Sequence, residues 1–208
     1  MTLMAERAPW ENSLVYLQVT RGVAKRDHPF PNPPVKPTIF LMSAPRLAPK
    51  AQEINQGLRT VSMVDMRWLH CDIKSVSLLG NVLSKQYAVD RGVDDVIQFR
   101  DGNLSEASSS NVWVVKNGKV LGPQKDNLVL EGIRYGLIEE LCRAEGIPFE
   151  LRAISKAEVV AADELFLSSA TKEILPIVEL DGEPIANGAV GPIYKQLKKA
   201  YNQVLAAL

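Results

Sequence analysis

The chain has 208 residues, and its 24 Lys and Arg side chains are balanced by 24 Asp and Glu side chains, so the formal net charge is zero. A neutral chain lacks the excess positive charge with which proteins bind nucleic acids or anionic membranes. Two cysteines without zinc-site spacing, no apolar run near the roughly 18 residues of a membrane span and no signal peptide favour a cytoplasmic globular protein.

The first 50 residues predict a strand pair and a loop. Ser13–Thr20 is rich in β-formers, and a strand is predicted there and over Thr38–Ser43. Five prolines between Pro29 and Pro37 cannot join a ladder, so an extended loop should connect the two strands. This segment is too short to bury a core of its own. We therefore predict a domain boundary in the proline-bounded linker Ala44–Lys50, with residues 1–46 as the tail end of one domain and residues 47–208 as a larger second domain.

The second domain mixes strands with helices. Asn117-Gly118 and Asp181-Gly182 are typical of hairpin turns. The apolar patterns predict strands at Leu58–Trp68, Asp95–Arg100, Asn111–Lys116, Lys119–Leu121, Glu164–Ser168, Ile177–Leu180 and Pro184–Ile185, and helices at Leu78–Asp90, Gly132–Glu145 and Val190–Leu208. Strands outnumber helices, which favours an α+β fold with a curved, barrel-like sheet.

Lys74 is the first candidate for chemistry. It lies in the stretch His70-Cys71-Asp72-Ile73-Lys74-Ser75, between an apolar strand and an apolar helix start. A lysine near a buried junction must be paired, neutral or bonded. The alternative is a strand-end lysine that extends to water.

Other candidates follow along the chain. Glu106 precedes three serines and is either a site carboxylate or a solvated turn residue. Gly132 stands at a helix start, where free N–H groups can hold a phosphate or take an ordinary cap. Hydroxyl groups end the strand at Ser168. Arg26 and His28 are two residues apart in an extended segment, so they point the same way and could clamp a carboxylate.

Together these stretches resemble the class IV (fold type IV) aminotransferases, which depend on pyridoxal 5′-phosphate (PLP), and within them the D-amino acid aminotransferases. The stretches that carry the resemblance are Tyr16 to Gly22, Arg26-Asp27-His28, Cys71 to Ser75 with Leu78 to Asn81, Glu106 to Asn111, Leu130 to Ile133 and Asp163 to Phe166. They keep the family order over nearly the whole chain.

The resemblance implies a large PLP-binding pseudo-barrel domain, residues 47–208, preceded by the remnant of a smaller α/β domain, residues 1–46. It also implies a homodimer that exchanges an amino group between a D-amino acid and a 2-oxo acid. Lys74 would form the Schiff base with PLP and move the substrate α-proton, and Glu106 would keep the pyridine nitrogen protonated.

The remaining roles also come from the resemblance. Leu130 would pack on the ring, and Ser109 and Ser110 would orient groups near Lys74. The phosphate would be surrounded by Gly132, Ile133, Ser169 and Ala170, and the substrate carboxylate would be bound by Arg26, His28 and Tyr16.

The chain departs from the family at two phosphate positions, where Arg134 and Ala170 replace threonines, and Arg134 is expected to offer its guanidinium instead. The family's amino-terminal phosphate arginine and substrate tyrosine have no counterpart in this chain, which suggests a truncated sequence. Four alternatives stay open: a catalytically silent remnant of the fold, an aminodeoxychorismate lyase, a branched-chain aminotransferase, and an unrelated α+β protein with a stray lysine.

Overall fold

The structure is a computed structural model that describes residues 2–207. The chain forms two compact units that divide between Ala48 and Pro49. The predicted helix end at Leu208 lies outside the described residues. No helix within residues 2–207 has the length and apolar character that crossing a membrane requires.

The first unit is a two-stranded ribbon with a short helix. It consists of α1 (Thr2–Glu6), β1 (Ser13–Thr20) and β2 (Thr38–Pro45), and the antiparallel register runs from Ser13 opposite Pro45 to Thr20 opposite Thr38. The predicted strand pair and loop are therefore confirmed. No residue between positions 2 and 48 is buried, and exposed apolar side chains lie on both faces of the ribbon. Its origin as the remnant of a small α/β domain stays a prediction.

The second unit contains a mixed sheet and five helices. Its helices are α2 (Ala51–Gln56), α3 (Leu79–Val89), α4 (Arg134–Ala144), α5 (Lys156–Val160) and α6 (Pro192–Ala206). Its strands are β3 (Leu58–Val64), β4 (Asp95–Arg100), β5 (Asn103–Ala107), β6 (Asn111–Lys116), β7 (Lys119–Gly122), β8 (Phe149–Leu151), β9 (Glu164–Ser169), β10 (Glu173–Leu180) and β11 (Glu183–Pro184).

The nine strands form one sheet in the order β5-β4-β3-β10-β9-β6-β7-β8, with β11 paired to β10, and the sheet curls into a half barrel. The pairs β3/β4, β3/β10 and β7/β8 are parallel, and the other pairs are antiparallel. The sheet and its helices confirm the predicted α+β class.

The central strands are buried on both faces. In β6, Val112 and Val114 belong to one apolar cluster, whereas Trp113 and Val115 belong to a second cluster that includes residues of α4 and α6. This arrangement follows from the strand period of two, which sends neighbouring side chains to opposite faces. It explains why the run reads as continuously apolar in the sequence.

One carboxylate fixes the start of α6. Glu164 Oε1 and Oε2 on β9 accept hydrogen bonds of 2.8 Å from the backbone N–H groups of Ile193 and Tyr194. The negative charge therefore lies at the positive end of the helix dipole. A Cβ atom at Gly191 would collide with the Glu164 side chain, so only glycine fits in front of this helix.

Several element boundaries differ from the prediction. Strand β3 ends at Val64 rather than Trp68, because the backbone turns away after Asp65, whose carboxylate accepts from the N–H of Arg67. Helix α4 begins at Arg134, two residues after Gly132. The elements α1, α2, β5, β8 and α5 were not predicted. For α5 the signal was present, since Ser155 and Glu158 form a capping box.

Candidate active site

Glu106 lies near the end of β5, and its side chain is only 6% exposed. Its Oε2 accepts a 2.6 Å hydrogen bond from Arg67 Nη1, and its Oε1 accepts a 2.8 Å bond from Asn111 Nδ2. Burial raises the pKa of Glu106, and the charge of Arg67 opposes this rise. Because a carboxylate can accept about four hydrogen bonds, this one keeps capacity for a further donor.

Arg67 joins Glu106 to a second buried carboxylate. Its Nε and Nη2 donate to Asp65 at 2.9 and 2.8 Å, and Arg100 Nη2 lies 3.1 Å from the same carboxylate. Burial alone would raise the pKa of Asp65, but the hydrogen bonds and charge of Arg67 bring it down to about 2. Burial lowers the pKa of Arg67, and its two carboxylate partners more than reverse that effect. Arg67 therefore remains a cation between two acids.

Lys74 lies on the loop between β3 and α3, and its side chain is exposed. It makes no hydrogen bond or ion pair with any other residue in the range 2–207. The loop is anchored on both sides at the same turn, because Arg67 binds Glu106 and Asn81 Nδ2 donates to Ser108 O at 2.8 Å. The free amine is therefore carried on a loop whose two ends are fixed at the end of β5, one to Glu106 and the other to Ser108.

The turn of three serines between β5 and β6, residues 108–110, connects to the start of α4 through Asn111. Asn111 Nδ2 also donates to Leu130 O at 2.9 Å, and a Cβ atom at Gly132 would collide with Asn111 Oδ1. Ser109 is exposed, whereas the Ser110 hydroxyl is buried and has no partner in the described part of the chain. The structure thus brings together Glu106, Ser110, Leu130 and Gly132.

Two segments with free backbone donors meet at the start of α4. The N–H groups of Ile133, Arg134, Ala170 and Thr171 donate to no other group within residues 2–207. Arg134 joins the two segments, since its Nε donates to Ser169 O at 2.6 Å. Grouped N–H donors at a helix start form a typical anion site.

The three predicted substrate residues lie in the first unit. Arg26 and His28 are exposed in the loop between β1 and β2. Tyr16 on β1 is 39% exposed, and its hydroxyl donates to Gln18 Oε1 at 2.8 Å. Their role as a carboxylate clamp stays a prediction.

Sequence reasoning assigned no role to Asp65, Arg67, Asn81, Arg100 or Asn111. Arg67 had one available signal, because Asp65 and Arg67 place two charges on one side of a segment read as a strand. Asn111 belongs to the Glu106 to Asn111 run. Its link to Leu130, 19 residues away, required the fold.

Comparison with known proteins decides the family. The family model of amino-transferase class IV matches residues 1–180. The chain belongs to the class IV aminotransferase family. It is 38% identical over 195 residues to the D-alanine aminotransferase of Staphylococcus haemolyticus, covering 94% of this chain and 69% of that protein.

Solved structures of other class IV aminotransferases share the fold. The branched-chain amino acid aminotransferase of Thermobaculum terrenum in its PLP form matches with a TM-score of 0.73 and 28% identity, over 81% of this chain and 56% of that one. The branched-chain amino acid aminotransferase of Escherichia coli matches with a TM-score of 0.80 and 23% identity, over 92% of this chain and 65% of that one. The chain thus spans between about half and two thirds of the length of these two structures.

The residues present fit a phosphorylated pyridine cofactor. The Ser110 hydroxyl is a buried polar group without a partner in the described residues, and such groups are rare in proteins unless a ligand or water satisfies them. Glu106 is held by a cation and an amide, and four free N–H donors are grouped at the start of α4 and the turn after β9. This aminotransferase chain therefore offers an acceptor for a ring nitrogen, donors for a phosphate and an exposed amine.

Proposed function

We propose that this chain carries the catalytic amine of a PLP-dependent aminotransferase that exchanges an amino group between a D-amino acid and a 2-oxo acid. The observation that carries the proposal is the Lys74 loop, whose two ends are anchored at the end of β5, at Glu106 and Ser108. The D-alanine aminotransferase relatives support a D-amino acid as donor.

Each residue of the site has a distinct task. Lys74 would supply the amine that holds the cofactor, and the same amine, once released, would remove and return the proton at the substrate α-carbon. Glu106 would accept the hydrogen bond of the protonated ring nitrogen, since Arg67 and Asn111 hold its two oxygens in place. PLP, when bound, supplies the electron-withdrawing ring that stabilises the negative charge left on the α-carbon.

Backbone rather than hydroxyl groups would hold the phosphate at two positions. The N–H groups of Ile133 and Ala170 would donate to it, and Ser169 lies at the end of β9 beside them. Leu130 would pack against the ring, and Ser109 and Ser110 would orient groups near Lys74. Tyr16, Arg26 and His28 of the first unit would bind the substrate carboxylate.

The test uses the full chain with PLP. Reduction with borohydride followed by peptide mass spectrometry should attach the cofactor to Lys74, and Lys74→Arg should abolish both attachment and turnover. Incubation with D-alanine and 2-oxoglutarate should give pyruvate and D-glutamate, whereas L-alanine and L-leucine should not react. Attachment without transfer would favour a catalytically silent fold, and transfer from L-leucine would favour a branched-chain enzyme.

We also propose that the chain forms a homodimer through an apolar surface on the second unit, which we call the α3 surface. Helix α3 buries only Ser84 and Ala88, and its large apolar residues Leu79, Val82, Leu83 and Val89 are exposed. Exposed apolar patches of this kind mark interaction sites. The α3 surface consists of Met66, Trp68, Leu69, Ile73, Val76, Leu79, Val82 and Leu83, each at least 49% exposed.

Light scattering after gel filtration tests the dimer. The wild-type chain should elute as a dimer, and the double change Leu79→Glu and Val82→Glu should give a folded monomer because two charges would be buried in the interface. Val204→Glu, at an exposed apolar position of α6, is the matched control and should leave the dimer intact. A wild-type monomer would contradict this part of the proposal.

A further inference from the structure

The side chain of Arg134 connects two backbone segments. It is the first residue of α4, yet its Nε donates to Ser169 O at 2.6 Å and its Nη2 donates to Ala170 O at 3.2 Å. The guanidinium carbon also lies 5.0 Å from the ring centroid of Tyr201 on α6. The planar fork of the guanidinium is therefore fixed on one edge by two consecutive carbonyls and packed over an aromatic ring.

These two carbonyls belong to the turn that links β9 to β10. Inside the turn, Ser169 Oγ accepts a 3.0 Å hydrogen bond from the N–H of Lys172. The carbonyls of Ser169 and Ala170 point toward Arg134, while the N–H groups of Ala170 and Thr171 remain without partners in the described residues. Arg134 thus determines how this turn sits against the N–H groups of Ile133 and Arg134 at the start of α4.

We propose that Arg134 is a positioning residue that raises phosphate affinity by holding the β9–β10 turn against the start of α4, rather than by binding the phosphate with its guanidinium. The inference deepens the proposed function and rests on it, because the phosphate is that of the PLP group assigned to this site. It also explains how two family threonines can be absent. The two segments, once held together, present four backbone N–H donors without the hydroxyl groups of the two threonines.

Arginine and lysine separate this role from direct binding. A lysine at position 134 would keep the positive charge and could still reach an anion, but it could not satisfy two carbonyls at once in a fixed plane. If the guanidinium were a direct ligand, lysine would preserve much of the affinity. If the guanidinium instead holds the two segments together, lysine should lower the phosphate affinity almost as much as alanine does.

The experiment measures the affinity of the full chain for pyridoxamine 5′-phosphate and for pyridoxamine by isothermal titration calorimetry. Neither compound needs the Lys74 link. The dissociation constant of pyridoxamine divided by that of pyridoxamine 5′-phosphate isolates the phosphate contribution. We expect Arg134→Lys and Arg134→Ala each to reduce this ratio by about tenfold, the loss of one well-placed charged hydrogen bond. Affinity for pyridoxamine itself should remain unchanged.

Two controls separate positioning from loss of fold. Arg143→Lys makes the same substitution on α4 at an arginine whose partner is the exposed Glu139, and it should leave the ratio unchanged. Addition of methylguanidinium to Arg134→Ala should restore part of the ratio, because the cation can occupy the place between Tyr201 and the two carbonyls. Rescue of this kind would not follow from a general structural defect.

The outcomes differ for the inference and for the function. Arg134→Lys with a wild-type ratio would overturn the positioning role while leaving the aminotransferase proposal intact. A wild-type chain that binds both compounds equally would remove the phosphate site, and both proposals would fall. The positioning role is supported if the ratio falls in both Arg134 variants, methylguanidinium restores part of it, and Arg143→Lys leaves it unchanged.

Discussion

The side chain of Asp65 is fully buried between Arg67 and Arg100. Its pKa in the folded chain is about 2, against an ordinary value of 3.8. A folded-state pKa below the unfolded value gives stability that is complete above pH 3.8 and is lost as the pH falls toward 2. The difference corresponds to about 2 kcal/mol.

Urea unfolding at several pH values tests this prediction. Asp65→Asn removes the titrating group, so the free-energy gap between wild type and variant should shrink by about 2 kcal/mol between pH 5 and pH 2. The same change at Asp101, in the exposed turn after β4, should keep the wild-type pH dependence. A gap that stays constant across this range would contradict the assignment of the charge to Asp65.

At the level of single residues, the sequence could single out candidates by their own chemistry. Lys74 and Glu106 stand out because an amine and a carboxylate occur in unusual surroundings. Arg67 could not be found in this way, since its bond to Glu106 joins positions 39 residues apart. Arg134 was expected to face the phosphate, whereas its hydrogen bonds go to carbonyl groups.

Among the secondary-structure elements, the β9–β10 turn is also tied to β4. Lys172 Nζ lies 2.6 Å from Asp95 Oδ2, and the Asp95 side chain is fully buried. Burial would raise the pKa of Asp95, but Lys172 brings it below the ordinary value. Asp95 Oδ1 further accepts from the N–H of Ser108, beside Glu106. One carboxylate thus connects the β9–β10 turn to the turn that follows β5.

Lys172→Met should therefore destabilise the chain by roughly 3 kcal/mol, because it leaves a buried carboxylate without its cation. Lys116→Met is the matched control, since Lys116 pairs with Asp163 and both side chains are more than 40% exposed. Exposed pairs contribute about 0–1 kcal/mol. Denaturant titration of both variants checks the difference, and equal losses would show that burial of Asp95 does not govern the effect.

Elements with a plain apolar period were predictable, and polar ones were not. The patterns of β6 and β9 indicated strands because each contains an uninterrupted apolar run, residues 112–115 and 165–167, that is buried on both faces. Strand β5 contains Asn103, Ser105 and Glu106, and β-propensity is low for such residues. Its polar groups are buried because partners elsewhere satisfy them, as when Ser105 Oγ donates to Gln98 O. Only the fold supplies those partners.

Across the whole molecule, the two units differ in whether each has a buried core that could keep it folded on its own. Both apolar clusters consist of residues from the second unit, from Ile54 to Tyr201. The first unit has no buried residue between positions 2 and 48, and an isolated two-stranded ribbon is marginally stable in water.

We expect a chain shortened to residues 49–208 to unfold at the same temperature as the full chain, because its core is complete without the first unit. Residues 1–48 alone should give a coil-like circular dichroism spectrum. Scanning calorimetry of the full and shortened chains provides the comparison. A marked fall in the melting temperature on removal of the first unit would contradict this division of stability.

The double anchorage of the Lys74 loop has a consequence for how the sequence can vary. Arg67 and Asn81 fix its two ends, so the chain between them is a loop with fixed ends. Lengthening such a loop costs little conformational entropy. Insertions or deletions between positions 72 and 77 would change how far the Lys74 amine extends, while the hydrogen bonds of Arg67 and Asn81 would remain. The position of the Lys74 amine can therefore change with loop length alone, without any change in the charged groups that hold the ends of the loop.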